Sequence, residues 1–251
     1  MTAFPLREDI YYPESDGQPM AETPDHRGEM SYLIDALEDR FRDAPDVYVG
    51  GNMLFYYVEG DPRTCVAPDV FVAVGVPKKK RRVYKVWEEG RGPSLVIEVT
   101  SESTRGEDLV RKKALYERLG VEEYFLYDPL DEYLTPPLQG YRLVAGRYQP
   151  IQPEPDGSLV SRTAGVTLRP EGERVRLVDT KTGRSLQRYQ EVTASSEIAE
   201  ARVAQESAQR EAAEARADRE AAERRAADEK VRALEEELAR LRGEAGERRS
   251  G

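Results

Sequence analysis

The run SLVIEVTS, Ser94 to Ser101, restricts the fold more than any other stretch of the chain. Side chains alternate across a strand, and here both alternations are apolar, so Leu95, Val96, Ile97 and Val99 predict a central strand covered on both faces. Such a strand needs a layer of structure on each side of its sheet. Glu98 stands inside it. Burying an ionised carboxylate at that depth is costly unless a cation or hydrogen-bond donors meet it. A second acid, Asp69, follows Pro68 and opens VFVAVG, a short β-branched run closed by Gly75. Two acids therefore stand on or beside two hydrophobic strands, roughly thirty residues apart in the chain.

The 251 residues leave room for one domain and something extra. After Tyr189 there is no proline, no aromatic residue and no glycine until Gly243, while Ala, Glu and Arg dominate. That composition predicts a long helix. The expected organisation is an arm over residues 1–22, a globular domain over 23–188, a helical tail over 189–243 and a disordered end over 244–251. One cysteine, Cys65, excludes an internal disulfide and a multi-cysteine zinc site, and it suits a reducing compartment. No long apolar run or export leader is visible, so a cytoplasmic protein that does not enter a membrane is expected. The net charge of -10 argues against a generally basic coat, so contact with nucleic acid would need a local patch. The chain has one in Lys78, Lys79, Lys80, Arg81 and Arg82.

Thr23 and Pro24 form a helix start, with Thr23 as cap and Pro24 in the first turn. Met30, Ile34, Leu37 and Phe41 share one face of that helix, which reaches about Arg42 and should pack on a sheet. Val47 to Gly50 and Asn52 to Gly60 read as a hairpin-like pair around a Gly-Gly-Asn turn. Beyond Glu98 the period becomes helical: Thr104 and Glu107 fit a capping box, and Gly120 ends the helix after Leu119. Glu122 to Pro129 predicts another strand, and YRLVAGRYQPI, VTLRP and RVRLVD predict short antiparallel strands. The sum is an α+β fold: a mixed sheet flanked by two helices, a β-rich extension and a long C-terminal helix. In the tail Val231, Leu234, Leu238 and Leu241 step as a coiled-coil seam, although Arg224, Glu220 and Arg210 interrupt the same register further back. A homodimer through this helix is the sharper reading and a solitary solvated helix the plainer one.

Two carboxylates on adjacent strands can hold one divalent cation, and hard oxygen donors suit Mg²⁺ or Mn²⁺. Asp108, Lys112 and Tyr116 lie at four-residue spacing on the helix after Glu98, so all three share a face. An ammonium at Lys112 could orient or deprotonate water and stabilise charge growing on a phosphate.

Taken in order, these motifs resemble the Uma-two family of restriction endonucleases, part of the PD-(D/E)XK nuclease superfamily. The resemblance rests on Pro68-Asp69, YKVWEEG, PSLVIEVTSEST, the Asp108, Lys112 and Tyr116 set, GVEEYFLYDP and PPLQGYRL, and spans the first helix to about residue 190. It implies an α/β/α restriction-endonuclease-like core. It also implies that Asp69 and Glu98 bind the metal and that Lys112 is the catalytic lysine. The superfamily's usual lysine follows the acid by two positions on the same strand, where this chain has Thr100, so the role passes to the next helix. Lys113 is the alternative if the helical phase differs.

Each residue also has a plainer reading. Glu98 could form a buried salt bridge to Lys112 with no metal. Asp69 could be a turn residue, Lys112 an exposed lysine, Asp108 a first-turn acid and Tyr116 a core aromatic. His26, the only histidine, reads as exposed or close to the helix cap, and Glu29 and Glu38 read as solvated. The basic run could be only a soluble loop, or a phosphate-contacting one. The expected function is Mg²⁺-dependent hydrolysis of DNA phosphodiester bonds. The competing one is a catalytically weak nuclease-fold module that binds nucleic acid or assembles proteins through its tail.

Overall fold

The structure, a computed structural model, describes residues 10–15, 17 and 23–247, with side chains described as far as 237. Most of the arm and the last four residues lie outside these. The chain forms two units, Met1–Tyr189 and Gln190–Gly251.

In the first unit α1 (Pro24–Arg40) starts as the sequence predicts, with the Thr23 hydroxyl accepting from the His26 N–H at 3.2 Å. Strands β1 (Val47–Gly50), β2 (Phe55–Tyr56), β3 (Cys65–Val66), β4 (Val70–Val74) and β5 (Tyr84–Lys85) follow, then the single turn α2 (Val86–Glu89). After β6 (Leu95–Val99) the chain enters a π-helical segment (Glu107–Lys112) that runs directly into α3 (Lys113–Leu119). Then come β7 (Glu123–Tyr127), β8 (Leu138–Val144), β9 (Arg147–Pro150), β10 (Leu159–Ser161), β11 (Val166–Glu171) and β12 (Arg174–Asp179).

A six-stranded mixed sheet, in the order β1-β4-β6-β7-β8-β9, forms the centre. Only β6 and β7 run parallel in it, and a parallel pair requires a crossover, which the π-helical segment and α3 supply. All five residues of β6 are buried. One face of the sheet, carrying Val70, Leu95, Ile97 and Val99, packs on Leu33 and Leu37 of α1 and on the small sheet β10-β11-β12. The other, carrying Phe71, Val96 and Leu126, packs on Leu115 and Tyr116 and on the small sheet β3-β2-β5. These two layers are what the doubly apolar strand required.

The hairpin expected around Gly50-Gly51-Asn52 does not form. Gly50 pairs with Phe71 as β1 joins β4, and β2 leaves for the other sheet, where Phe55 pairs with Val66 and Tyr84. The reason is close approach: a Cβ on Gly51 would stand 2.2 Å from the Asp69 carbonyl oxygen, and the Asn52 N–H donates to the Pro68 carbonyl at 2.9 Å. The glycine lets two backbones touch rather than turning a hairpin. Gly51→Ala is expected to push the Asp69 backbone aside, costing about 1–3 kcal/mol of stability through overpacking. A melting temperature equal to the native value would show that the contact is slack.

No capping box closes the helix after β6. Thr104 Oγ1 accepts from the Ser101 N–H at 3.1 Å instead, and Glu107 pairs with Arg111. Glu29 is not solvated either: it is buried, accepting from the Val175 N–H at 3.0 Å and from Arg188 at 2.9 Å. Glu38 is exposed as expected. Of the arm, residues 10–15 include Tyr12, whose ring stands 5.2 Å from that of Trp87, and Pro13, whose carbonyl accepts from Tyr56 at 2.7 Å.

The second unit belongs to α4, a helix over Tyr189–Glu247. It spans about 88 Å at the usual rise per residue. Ile198, Val203, Val231 and Leu234 are exposed along it. Its intrahelical ion pairs, such as Arg202 with Glu206 at 2.9 Å, are of the solvent-exposed kind. The helix continues through residues 244–247, where a disordered end was expected.

Candidate active site

The register of β4 against β6 pairs Val70 with Ile97. One step outward, Asp69 stands beside Glu98, at the exit of β6. Their contact is reciprocal: the Asp69 N–H donates to Glu98 Oε2 at 3.3 Å, and the Val99 N–H donates to Asp69 Oδ2 at 2.8 Å. Glu98 is fully buried. Its Oε2 also accepts from Lys112 Nζ at 2.9 Å and its Oε1 from the Tyr116 hydroxyl at 2.8 Å. Lys112 Nζ lies 3.0 Å from Asp108 Oδ1 as well. Thus Asp108, Lys112 and Tyr116 do share a face, directed at Glu98, although the first of their turns is π-helical rather than α-helical. Wider turns of this kind are frequent at functional sites.

The neighbouring lysine points elsewhere. Lys113 Nζ sits 3.5 Å from the ring centroid of Tyr141, on another side of the helix, so it does not face the acids. Asp108 is a first-turn acid of the π-helical segment, as expected, and it is buried beside Lys112. Tyr116 is a core aromatic whose hydroxyl also serves the site. His26 is next to the helix cap as expected, its N–H donating to Thr23, but its side chain is buried, with Nε2 3.3 Å from Asp69 Oδ2. The signal was present, because His26 falls on the helical stripe of Met30, Leu33 and Leu37 that faces the core.

Charge is unbalanced here. Three buried or half-buried carboxylates, Asp69, Glu98 and Asp108, surround a single ammonium. Burial is the largest influence on Glu98; Lys112 opposes it while Asp69 and Asp108 add to it, and the carboxyl is pushed up to about 8. Burial also raises Asp108 against the pull of Lys112. Asp69 goes the other way: burial works against its ionisation, but His26, Lys112 and the Val99 N–H outweigh it and hold Asp69 below the usual carboxylate range. Burial disfavours the Lys112 ammonium, yet Glu98, Asp108 and Asp69 together push its pKa above that of an ordinary lysine. One polar group is left over: the buried Thr100 hydroxyl, on the Glu98 face by strand alternation, has no hydrogen-bond partner among the described residues.

No three His, Cys, Asp or Glu side chains among the described residues are arranged to hold a metal by themselves. The site offers two acids instead, and Mg²⁺ characteristically binds through one or two carboxylates and completes its shell with water and substrate phosphate. More acids than cations, an Asp69 Oδ1 that accepts no hydrogen bond from the described residues, and all-oxygen donors fit such an ion.

The basic run is elsewhere. Lys78 donates to the carbonyls of Phe41 and Arg42, just past the C-terminal end of α1, whereas His26 meets Asp69 at its N-terminal end. The length of that helix puts the two places about 25 Å apart. Arg81 is a structural cation: it lies over the Tyr48 ring at 4.1 Å and pairs with buried Glu89 at 2.7 Å. Lys79 pairs with Glu89 at 3.1 Å and Arg82 with Glu14 at 2.8 Å, while Lys80 is exposed. A cavity of about 1010 Å³ beside this run, lined by Glu38, Tyr48 and the five cations, is therefore remote from the acids.

The profile of the Uma2 family, described as "Putative restriction endonuclease", matches residues 3–171, more than half of the chain. The chain belongs to the Uma2 family. Membership supports a nuclease, a hydrolase acting on nucleic acid, and the Uma2 match takes in both acids, Lys112 and the whole central sheet. Among solved structures, one described as a "putative nuclease belonging to DUF820" from Anabaena variabilis is 16% identical, covering 62% of this chain and 86% of that one with a TM-score of 0.44. No curated protein matches the chain. No helix among the described residues is long and apolar enough to cross a membrane.

Proposed function

We propose that this Uma2 protein is a divalent-metal-dependent endonuclease of the cytoplasm that hydrolyses DNA phosphodiester bonds. Asp69 and Glu98 are its Mg²⁺ or Mn²⁺ ligands and Lys112 is its catalytic cation. The observation that carries the reading is the joining of Asp69 and Glu98 across two buried strands, with three acids around one ammonium. When bound, the metal would act as a Lewis acid on the phosphate and lower the pKa of a coordinated water.

The chain's own groups have separable tasks. Lys112 is held cationic by its three acids, so it orients water and stabilises charge growing on the phosphate; as a base it would first have to lose a strongly held proton. Tyr116 locks the rotamer of Glu98 through Oε1. His26 and the Val99 N–H fix Asp69 through Oδ2. Thr100 has a spare hydroxyl on the Glu98 face, where the superfamily pattern puts lysine. From the basic run, Lys79, Lys80 and Arg82 have exposed heads and serve as remote phosphate contacts.

The test is nicking of plasmid DNA and cleavage of single-stranded DNA in Mg²⁺ or Mn²⁺ against the same mixtures in EDTA. Cleavage that survives EDTA, or is absent throughout, sinks the proposal. Metal affinity should also depend on pH. Ionised Glu98 holds the cation and protonated Glu98 does not, so with its carboxyl pushed up to about 8, binding strengthens as pH rises toward that value. Below it, each pH unit should weaken the Mn²⁺ dissociation constant by about tenfold, read by calorimetry. A constant affinity from pH 6 to pH 8 would remove Glu98 from the ligand set.

The tail supports a second role. An exposed helix of this length, with Val231 and Leu234 exposed in heptad phase, is suited to pairing with a second copy of itself. Truncation after Gln190 should take the light-scattering mass from that of two full chains to that of one truncated chain, and a number of chains per particle unchanged by the truncation would leave α4 a solitary helix.

A further inference from the structure

A second cavity, of about 400 Å³, adjoins Lys112. Its walls are the helical stripe Arg111, Leu115 and Arg118 on one side and Tyr57, Cys65 and Val66 of the small β2-β3 layer on the other. Leu115 and Val66 are buried and make an apolar floor; Val110, 70% exposed, stands at the lip. Three cations line the cavity and no carboxylate does, in a chain with 48 acids and a net charge of -10. Arg111 is engaged with Glu107, but Arg118 makes no ion pair or side-chain hydrogen bond among the described residues. Lys112 is common to both places: its ammonium is on Glu98 and it also lines the cavity, so the groove adjoins the acid site.

We propose that this groove seats an unpaired nucleotide of DNA next to the phosphate to be cut, making single-stranded or locally unpaired DNA the preferred substrate. The inference rests on the nuclease reading for the phrase "to be cut", and on the groove alone for what is bound. The volume lies in the range of small-molecule pockets and suits one nucleotide rather than a base pair. A duplex keeps its base faces stacked inside and could offer this apolar floor only its backbone and groove edges. An unpaired base can lay its face against Tyr57 and Leu115 while its phosphates meet Arg118 and Arg111. Those two arginines stand seven residues apart on one helical stripe, about 10 Å along the axis, so they can hold two points of one backbone.

The probes are a fluorescein-labelled dT 20-mer and a 20-base-pair hairpin duplex, bound to the full chain in EDTA and followed by anisotropy. The ratio of the two affinities is read, because repulsion by the nearby acids acts on both. The single strand should bind at least about tenfold tighter than the duplex. Arg118→Ala should weaken it by about fivefold and reduce the slope of log affinity against log salt by about one. Tyr57→Ala should cost at least about fivefold and Tyr57→Phe nearly nothing, since stacking needs the ring and not the hydroxyl. Equal or tighter binding of the duplex, or native-like binding by both Arg118→Ala and Tyr57→Ala, overturns the assignment. The readout needs neither metal nor turnover. A chain that cuts plasmid with Mg²⁺ but fails these tests keeps the nuclease reading and loses the groove; one that passes them and cuts nothing does the reverse.

Discussion

Glu98→Gln is expected to lower the rate of DNA cleavage by about a thousandfold while leaving the fold intact. The exchange keeps volume and removes charge, so β6 stays packed between its layers. Lys112 does not become an orphan, because Asp108 remains 3.0 Å from its ammonium. What disappears is the anionic oxygen next to Asp69, and with it the negative field that would hold a divalent cation. The measurement is initial nicking rate in Mn²⁺ together with a thermal melt in EDTA. Loss of both activity and stability would mean that Glu98 serves chiefly as the partner of a buried ion pair. Cleavage within a few-fold of native, with an unchanged melt, would remove it from the chemistry altogether.

Lys112→Met should be the most destabilising single change in the site. It leaves Glu98, Asp108 and Asp69 facing one another with no cation, and breaking a buried pair from one side costs about 3–5 kcal/mol. For a domain of this size that is a fall of about 10 °C in melting temperature. Lys113→Met is the matched control. Lys113 loses only its cation–π contact with Tyr141, worth about 1 kcal/mol at a half-exposed position, so its melt should shift by about 2–4 °C. Mn²⁺ should restore part of the stability of Lys112→Met, since the ion replaces the missing positive charge among the acids. Equal melts for the two variants would refute the picture of an acid cluster organised around Lys112.

Periodicity and composition made much of this molecule legible. Apolar residues on both alternations of Leu95 to Val99 required two covering layers, and both are present, α1 with one small sheet and α3 with the other. A Thr-Pro helix start, a Gly stop after Leu119 and the composition after Tyr189 each located an element because each acts through bonds within a few residues. The sheet's partners were less accessible. Val47 to Gly50 joined β4, not its neighbour in sequence, because Gly51 allows a backbone approach that a turn signal cannot distinguish from a hairpin. Glu29 read as solvated and His26 as exposed or close to the cap because the groups that meet their side chains, the Val175 N–H and Arg188 for one and Asp69 for the other, come from far along the chain.

Burial of Glu98 and its need for compensation were readable from the chain, since its neighbours on both faces are apolar and a bare buried carboxylate is too costly to keep. So was the face of the following helix that would carry Asp108, Lys112 and Tyr116. It took the packed fold to bring this face onto Glu98, to turn Lys113 away to Tyr141 and to close His26 on Asp69. The fold also moved the basic run to the far end of α1 and opened a different cationic groove beside Lys112. The physical reason is one of range. Helical phase and strand alternation are set by local backbone geometry, whereas a pairing between residues tens of positions apart depends on register and on the angle at which a helix packs.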